Sequence, residues 1–171
     1  QGDPDARSYV RDVVFSGIGF EATAVQNDDS DAPDGRARTN ARQAAVFAPG
    51  AVMLEAARNI RFEDCRVRHT GGYAFRIADG SMSNVIVRCT MDDLGAGGVF
   101  AGAGKRNPDH YMADERLWKR DGNLPCPKAY DYSERAVAFI EVSDCEISRG
   151  GQVNKEGIGV LFTNISDSKI A

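Results

Sequence analysis

The amino-acid sequence predicts an all-β fold, a right-handed parallel β-helix solenoid of about five rungs of 23–24 residues with two long loop insertions. Three observations support this prediction. One sequence frame recurs at a regular spacing, apolar and polar residues alternate in short runs, and glycine-rich turns separate those runs.

The recurring frame is centred on cysteine. The segments F-E-D-C-R-V around Cys65, I-V-R-C-T-M around Cys89 and V-S-D-C-E-I around Cys145 share it, and I-S-D-S-K-I places Ser168 at the same position. The steps are 24 residues, then 56, then 23, so the middle step is one period plus an insertion. An earlier copy, F-S-G-I-G-F, places Ile18 in the frame, 47 residues before Cys65.

Each repeat is expected to carry two or three short strands. The first contains the anchor residue, as in 60–67 and 85–91, and the second follows the glycines, as in 74–77, 98–101 and 158–162. Alternation with period two buries one face of each strand. A leucine-rich repeat has a similar period, but leucine is too scarce here for that frame. Rungs of a β-helix stack about 4.8 Å apart, so equivalent residues form columns.

Cys65, Cys89 and Cys145 are interpreted as one interior column of small apolar residues, with no disulfide between neighbours, while Cys126 lies in an insertion outside this pattern. The sequence has four cysteines and no C-x-x-C pair, which gives no indication of zinc or redox chemistry. Asn59, Asn84 and Asn164 precede strands, where asparagine commonly serves in turns.

Two polar insertions, near 25–42 and 102–135, interrupt the repeats and are expected to wall a cleft on one face. The second holds Trp118, the only tryptophan. We interpret residues 1–171 as a single β-helix domain and expect it to be a piece of a longer protein, with missing segments capping its ends.

Charge and hydropathy argue against some classes of binding partner. The net charge is −4 and the basic residues are scattered, which argues against nucleic acid. No apolar run approaches the roughly 18 residues that a membrane span requires. Residues 1–8, Q-G-D-P-D-A-R-S, are not a signal peptide, although one removed earlier is compatible with the secreted or periplasmic location that we expect.

Candidate functional residues follow the anchor strands. His69, Asp93 and Arg149 each lie four residues past an anchor cysteine, so stacked rungs would align them in one column. Glycine-rich turns come next, and the third turn is three residues longer, which brings Glu156 to the start of its second strand. Glycine in these turns permits close approach to the backbone or a tight corner.

Two carboxylates facing one groove are the requirement of glycoside hydrolysis. We expect Glu156, less solvated and protonated, to be the general acid, and Asp93, kept ionised by His69 and Arg149, to be the nucleophile or base. The alternative reading is structural, in which Asp92 and Asp93 cap a turn and Glu156 is an ordinary surface acid.

His69, Arg149 and Tyr73 are expected to position a sugar or tune the two acids, with core or rim packing as the alternative for Tyr73. Further substrate-binding candidates are Trp118, as a stacking platform, Asp92 and Lys155. No cofactor is expected for a hydrolase. A calcium-assisted polysaccharide lyase is the first alternative, with Asp92 and Asp93 as oxygen ligands and Lys155 or Arg149 as base. A non-catalytic carbohydrate-binding or adhesive module is the second.

Three motifs carry a family resemblance: H-T-G-G-Y at 69–73, D-D-L-G-A-G-G-V at 92–99 and G-G-Q-V-N-K-E-G-I-G-V at 150–160. They resemble the right-handed β-helix proteins of the pectate-lyase-like superfamily, especially the glycoside hydrolases that act on plant cell-wall glycans. Segment 43–59 is similar to the lead-in to their first such rung. The resemblance implies a polysaccharide or oligosaccharide substrate and a catalytic pair of acids on neighbouring rungs, Asp93 and Glu156.

Overall fold

The computed structural model describes residues 1–4, 6–24, 43–45, 48–102, 135–163 and 165–171. These residues form β-strands joined by turns and one short 3-10 turn, Gln43–Ala45, which confirms the predicted all-β class. The strands are β1 (Val10–Ser16), β2 (Gly19–Thr23), β3 (Gly50–Leu54), β4 (Ala57–Glu63), β5 (Arg66–Thr70), β6 (Tyr73–Ile77), β7 (Val85–Val87) and β8 (Thr90–Leu94). They continue with β9 (Val99–Gly102), β10 (Val137–Ala138), β11 (Glu141–Ser143), β12 (Glu146–Ser148), β13 (Val160–Thr163), β14 (Ile165–Ser166) and β15 (Lys169–Ile170).

All strand pairs are parallel, and the chain visits three sheets in a constant order. The first sheet has the order β1-β4-β7-β11-β15, the second β2-β5-β8-β12 and the third β3-β6-β9-β13, while β10 pairs with β14. We call each round through the three sheets a pass: β1–β3, β4–β6, β7–β9 and β10–β13. Each pass therefore forms hydrogen bonds with the passes before and after it.

The register confirms most of the predicted spacing. Arg66 pairs with Thr90, 24 residues later, and Thr90 pairs with Glu146, 56 residues later. The alignment of Ser168 with Cys145 is wrong. Glu141 pairs with Lys169, which places Ser168 beside Ile140, and the Ser168 hydroxyl accepts a hydrogen bond of 2.9 Å from the Ile140 N–H.

Each predicted anchor strand is in fact two strands, because the chain bends just before the cysteine. Gly17, Asp64, Arg88 and Asp144 occupy this bend with φ between 52° and 67°. Left-handed backbone is unfavourable for most L-residues, although glycine and aspartate tolerate it better than others. The bend moves the chain from the first sheet to the second, and we call it the cysteine corner because Cys65, Cys89 and Cys145 follow it directly on their passes.

The interior contains columns of equivalent apolar residues. Cys65 and Cys89 are buried, Cys145 is half-buried, and all three are free thiols, as predicted. The rings of Phe15 and Phe62 stack with their centroids 4.7 Å apart. Burial of such columns between passes supplies the main stabilisation of the fold.

The turn before β7 depends on a buried asparagine. Asn84 is 1% exposed, its side-chain oxygen accepts a bond from the Ile60 N–H, and its amide donates to the Ala57 carbonyl, each at 2.9 Å. Asn59 is exposed and occupies left-handed backbone with φ of 55°. The turn role predicted for Asn84 is confirmed, whereas Asn59 lies inside β4, so its predicted position before a strand is wrong.

Several sequence predictions concern residues outside the described ranges. They include the insertions at 25–42 and, except for its two ends, 102–135, as well as Trp118 and Asn164. Within the part of the chain that is described, no helix has the length and apolar character needed to cross a membrane.

Candidate functional site

The second sheet aligns the candidate residues at the ends of its strands. Arg68 of β5 pairs with Asp92 of β8, so the next residues, His69 and Asp93, lie side by side on successive passes. Ser148 of β12 also pairs with Asp92, which brings Arg149 beside Asp93. The predicted column of His69, Asp93 and Arg149 therefore exists. We call the group His69, Asp92, Asp93, Ser148 and Arg149 the polar corner.

The backbone bends at this column. His69, Asp93 and Arg149 have φ of 55°, 53° and 47°, in the left-handed region. Such conformations can mark functional sites, at a cost of about 1–3 kcal/mol each. The cysteine corner has the same bend, however, so the left-handed backbone belongs to the corner architecture and is not evidence for a site.

His69 and Asp93 form a close pair across two passes. The Nδ1 atom of His69 lies 2.7 Å from Oδ2 of Asp93, and the side chains are 51% and 38% exposed. An ionised carboxylate can only accept hydrogen bonds, so Nδ1 must carry the proton in this contact. In the neutral ring, Nε2 then keeps its lone pair.

Arg149 pairs with Asp92 and not with Asp93. Its Nε donates to Oδ1 of Asp92 at 2.8 Å, its Nη2 contacts Oδ2, and the Ser148 hydroxyl donates to Oδ1 at 2.8 Å. Arg149 lies beside Asp93 in the predicted column, but its side-chain hydrogen bonds go to Asp92, because the planar guanidinium meets both oxygens of that carboxylate at once. These contacts, that of Arg149 above all, hold the pKa of Asp92 well below its usual range.

Acid is expected to weaken the fold through Asp92. Its pKa in the folded state lies below the ordinary value of 3.8, so the carboxylate contributes stability above about pH 4 and loses that contribution as the pH falls further. In Asp92→Asn, the melting temperature should therefore fall less between about pH 5 and pH 2 than in the wild type. Thermal unfolding monitored by circular dichroism across this range tests the prediction, and superimposable pH profiles of the two proteins would contradict it.

The hydrogen bonds of Asp92 also affect whether the polar corner could bind calcium. The described ranges bring no three or more histidine, cysteine, aspartate or glutamate side chains together in a way that could hold a metal ion. Both oxygens of Asp92 accept hydrogen bonds within the polar corner, so a cation would have to displace the Arg149 guanidinium. Asp92 is better placed to fix Arg149 than to ligate calcium.

Tyr73 is part of the interior and cannot stack on a sugar. Its side chain is fully buried, and its hydroxyl donates to the Ala44 carbonyl at 2.5 Å. Its ring packs against Phe100, with centroids 5.6 Å apart. The substrate-binding role expected for Tyr73 is therefore wrong, because the first residue after the glycine pair turns inward.

Glu156 and Lys155 lie in the turn between β12 and β13, and both side chains are exposed. The expectation of a poorly solvated Glu156 carboxyl is wrong, since water reaches it. The turn itself is held in place, because a Cβ on Gly157 would lie 2.4 Å from the carbonyl carbon of Ala96. Ala96 lies three residues after Asp93, so the turn that carries Glu156 packs against the end of the polar corner's strand.

Two features of this region were not anticipated from the sequence. The Ser148 hydroxyl donates a hydrogen bond to Asp92. The repeat spacing could have indicated this contact, because Ser148 lies 56 residues after Asp92, the same step that separates Cys89 from Cys145. A cleft of about 210 Å³ lies at the end of β2 and the start of β3, lined by Thr23, Ala24, Pro49, Gly50, Ala51 and Gly72. None of these residues belongs to the polar corner, although Gly72 follows His69 by three residues in the sequence.

Comparisons with protein-family models, curated proteins and solved structures found no match for the chain. The resemblance to β-helical glycoside hydrolases therefore depends on its three motifs and on segment 43–59.

Proposed function

We propose that the chain winds as a right-handed parallel β-helix of about five rungs, as the repeat spacing predicts. Three observations support this architecture: the passes follow one order of sheets, their strands are parallel, and equivalent residues stay in register. Crossover connections between parallel strands of one sheet are right-handed in about 98% of cases. A solenoid of this kind presents its corners as long lateral surfaces.

The proposed function is binding and hydrolysis of a polysaccharide along the polar corner. Its main support is the exposed contact between His69 and Asp93 on adjacent passes, with the turn of Glu156 packed beside the same strand. Glu156, which is exposed in the free protein, would protonate the leaving oxygen once a bound glycan excludes water from its carboxyl group, while Asp93 supports the attack on the anomeric carbon. The guanidinium of Arg149, fixed by Asp92, and the ammonium of Lys155 would hydrogen-bond sugar hydroxyl or carboxylate groups.

Hydrolysis is tested by incubating the protein with a panel of plant cell-wall glycans and analysing the products. Both Asp93→Asn and Glu156→Gln are expected to lower the rate by about 10²–10⁴-fold, the usual contribution of acid–base groups. Asp144→Asn is a matched control, because Asp144 has the same left-handed backbone at the cysteine corner. Thermal unfolding would verify that all variants fold.

Other outcomes separate the alternatives. Products with an unsaturated, ultraviolet-absorbing sugar would indicate a lyase instead of a hydrolase. Glycan binding without turnover, unchanged in the double variant of Asp93→Asn and Glu156→Gln, would indicate a binding module. Hydrolysis at the wild-type rate in both single variants would overturn the assignment of these two acids.

A further inference from the structure

We propose that His69, and not Asp93, is the group that takes a proton from the attacking water, with Asp93 as its positioning residue. This inference rests on the proposed hydrolytic function and changes which side chain meets the reacting atoms. It follows from the contact between the two side chains and from what that contact leaves available on each.

His69 engages one of the two carboxylate oxygens of Asp93. Its Oδ2 atom lies 2.7 Å from the His69 ring, so one carboxylate oxygen is occupied by the imidazole N–H. The imidazole is the more exposed of the two side chains, at 51% against 38%. A substrate approaching from solvent therefore has better access to the ring of His69.

The contact also determines which ring nitrogen of His69 carries the proton. Because Asp93 holds the proton on Nδ1, the neutral ring offers the lone pair of Nε2. Among the described residues, the only hydrogen-bond partner of the ring is Asp93. An imidazole is a stronger base than a carboxylate near neutral pH, and a neighbouring carboxylate stabilises the imidazolium that forms.

The proposed reaction is a single displacement by water at the anomeric carbon. A water oxygen forms a bond to the anomeric carbon while one of its protons moves to Nε2 of His69. The glycosidic bond breaks, and its electron pair stays on the leaving oxygen, which takes the proton of Glu156. The imidazolium then returns its proton to solvent, and Glu156 is reprotonated. This is attack by water on the face opposite the leaving group, which inverts the anomeric configuration.

The first test is the tautomer of His69. The protein contains two histidines, so the variant His110→Gln leaves His69 as the single source of imidazole signals in ¹⁵N-labelled protein. At a pH where the ring is neutral, the ¹⁵N shifts should report a proton on Nδ1. Adding Asp93→Asn should move it to Nε2, because the asparagine amide donates to the ring. A proton on Nε2 before that change would overturn the proposal whatever the activity.

The second test compares rates on a hydrolysed glycan. His69→Asn suits the left-handed backbone at this position, where φ is 55°. If the pair acts as a unit, His69→Asn and Asp93→Asn should each lower kcat by about 10²–10⁴-fold, and the double variant should be no slower than either one. The products should have inverted anomeric configuration.

Different results would contradict the role of His69 and the proposed function. If His69→Asn retains most of the rate while Asp93→Asn does not, Asp93 acts directly and the proposal for His69 is wrong, although the proposed function survives. Products with retained anomeric configuration would likewise show that Asp93 acts directly and that the proposal for His69 is wrong. If the wild-type protein hydrolyses no glycan in the panel, the proposed function fails and the base role of His69 fails with it.

Discussion

Replacing Gly97 with alanine is expected to destabilise the protein by about 3 kcal/mol, at the upper end of the usual cost of overpacking. A Cβ at this position would lie 1.8 Å from the Ile158 carbonyl oxygen and 2.6 Å from Cε1 of Tyr73. The first atom is backbone of the next pass and the second belongs to a fully buried ring. Neither can move away without separating the passes.

Gly159→Ala is the matched control, because no atom lies within 4 Å of the Cβ that it would add. Its stability should differ from the wild type by less than about 0.5 kcal/mol. Urea unfolding followed by circular dichroism measures both variants. Equal midpoints for the two variants would show that the close packing of passes at Gly97 is not as described.

Replacing Asn84 with alanine is expected to cost about 2–3 kcal/mol. The side chain is buried and bridges Ile60 and Ala57 with two hydrogen bonds. The Ala57 carbonyl also accepts a bond from the Met82 N–H, so it remains satisfied, whereas the Ile60 N–H loses its partner inside the protein. The penalty therefore comes mainly from one unsatisfied buried donor and from the lost packing.

The control for this experiment is Ser83→Ala in the same turn. Ser83 is exposed and has φ of 57°, and alanine meets the same backbone strain as serine there. Its stability should stay within about 0.5 kcal/mol of the wild type in urea unfolding. A loss at Ser83 as large as that at Asn84 would mean that the turn depends on conformation and not on the buried hydrogen bonds.

The sequence predicted the glycine-rich turns but did not show why glycine is needed in them. Their composition indicated either close approach to the backbone or a tight corner. At Gly97 the group that approaches is the backbone of Ile158, from the neighbouring pass. Glycine is required there by the stacking of the chain on itself, which concerns the fold before it concerns any ligand.

The polar corner was predicted as a column but not as a set of contacts. Arg149 and His69 occupy equivalent positions beside Asp93, yet only His69 binds it, and Arg149 reaches back to Asp92. The two carboxylates differ by one position along a strand, so they leave the backbone in different directions. Repeat spacing cannot predict which of them a long, flexible guanidinium will meet.

Tyr73 and Ser168 show the same limit in other ways. Tyr73 follows two glycines, and nothing in its neighbours indicates that it turns into the interior to meet Phe100. The segment around Ser168 keeps the apolar positions of the cysteine frame, but the pairing of Glu141 with Lys169 shifts the last strand away from that frame.

The periodic pattern alone was enough to predict strands, most of their register and the column of His69, Asp93 and Arg149. It succeeds because side chains alternate along a strand and equivalent residues of stacked strands must lie together. The hydrogen-bond partners, the exposure of Glu156 and the burial of Tyr73 emerged from the folded chain. They depend on side-chain direction and on packing between residues far apart in sequence, which no local pattern records.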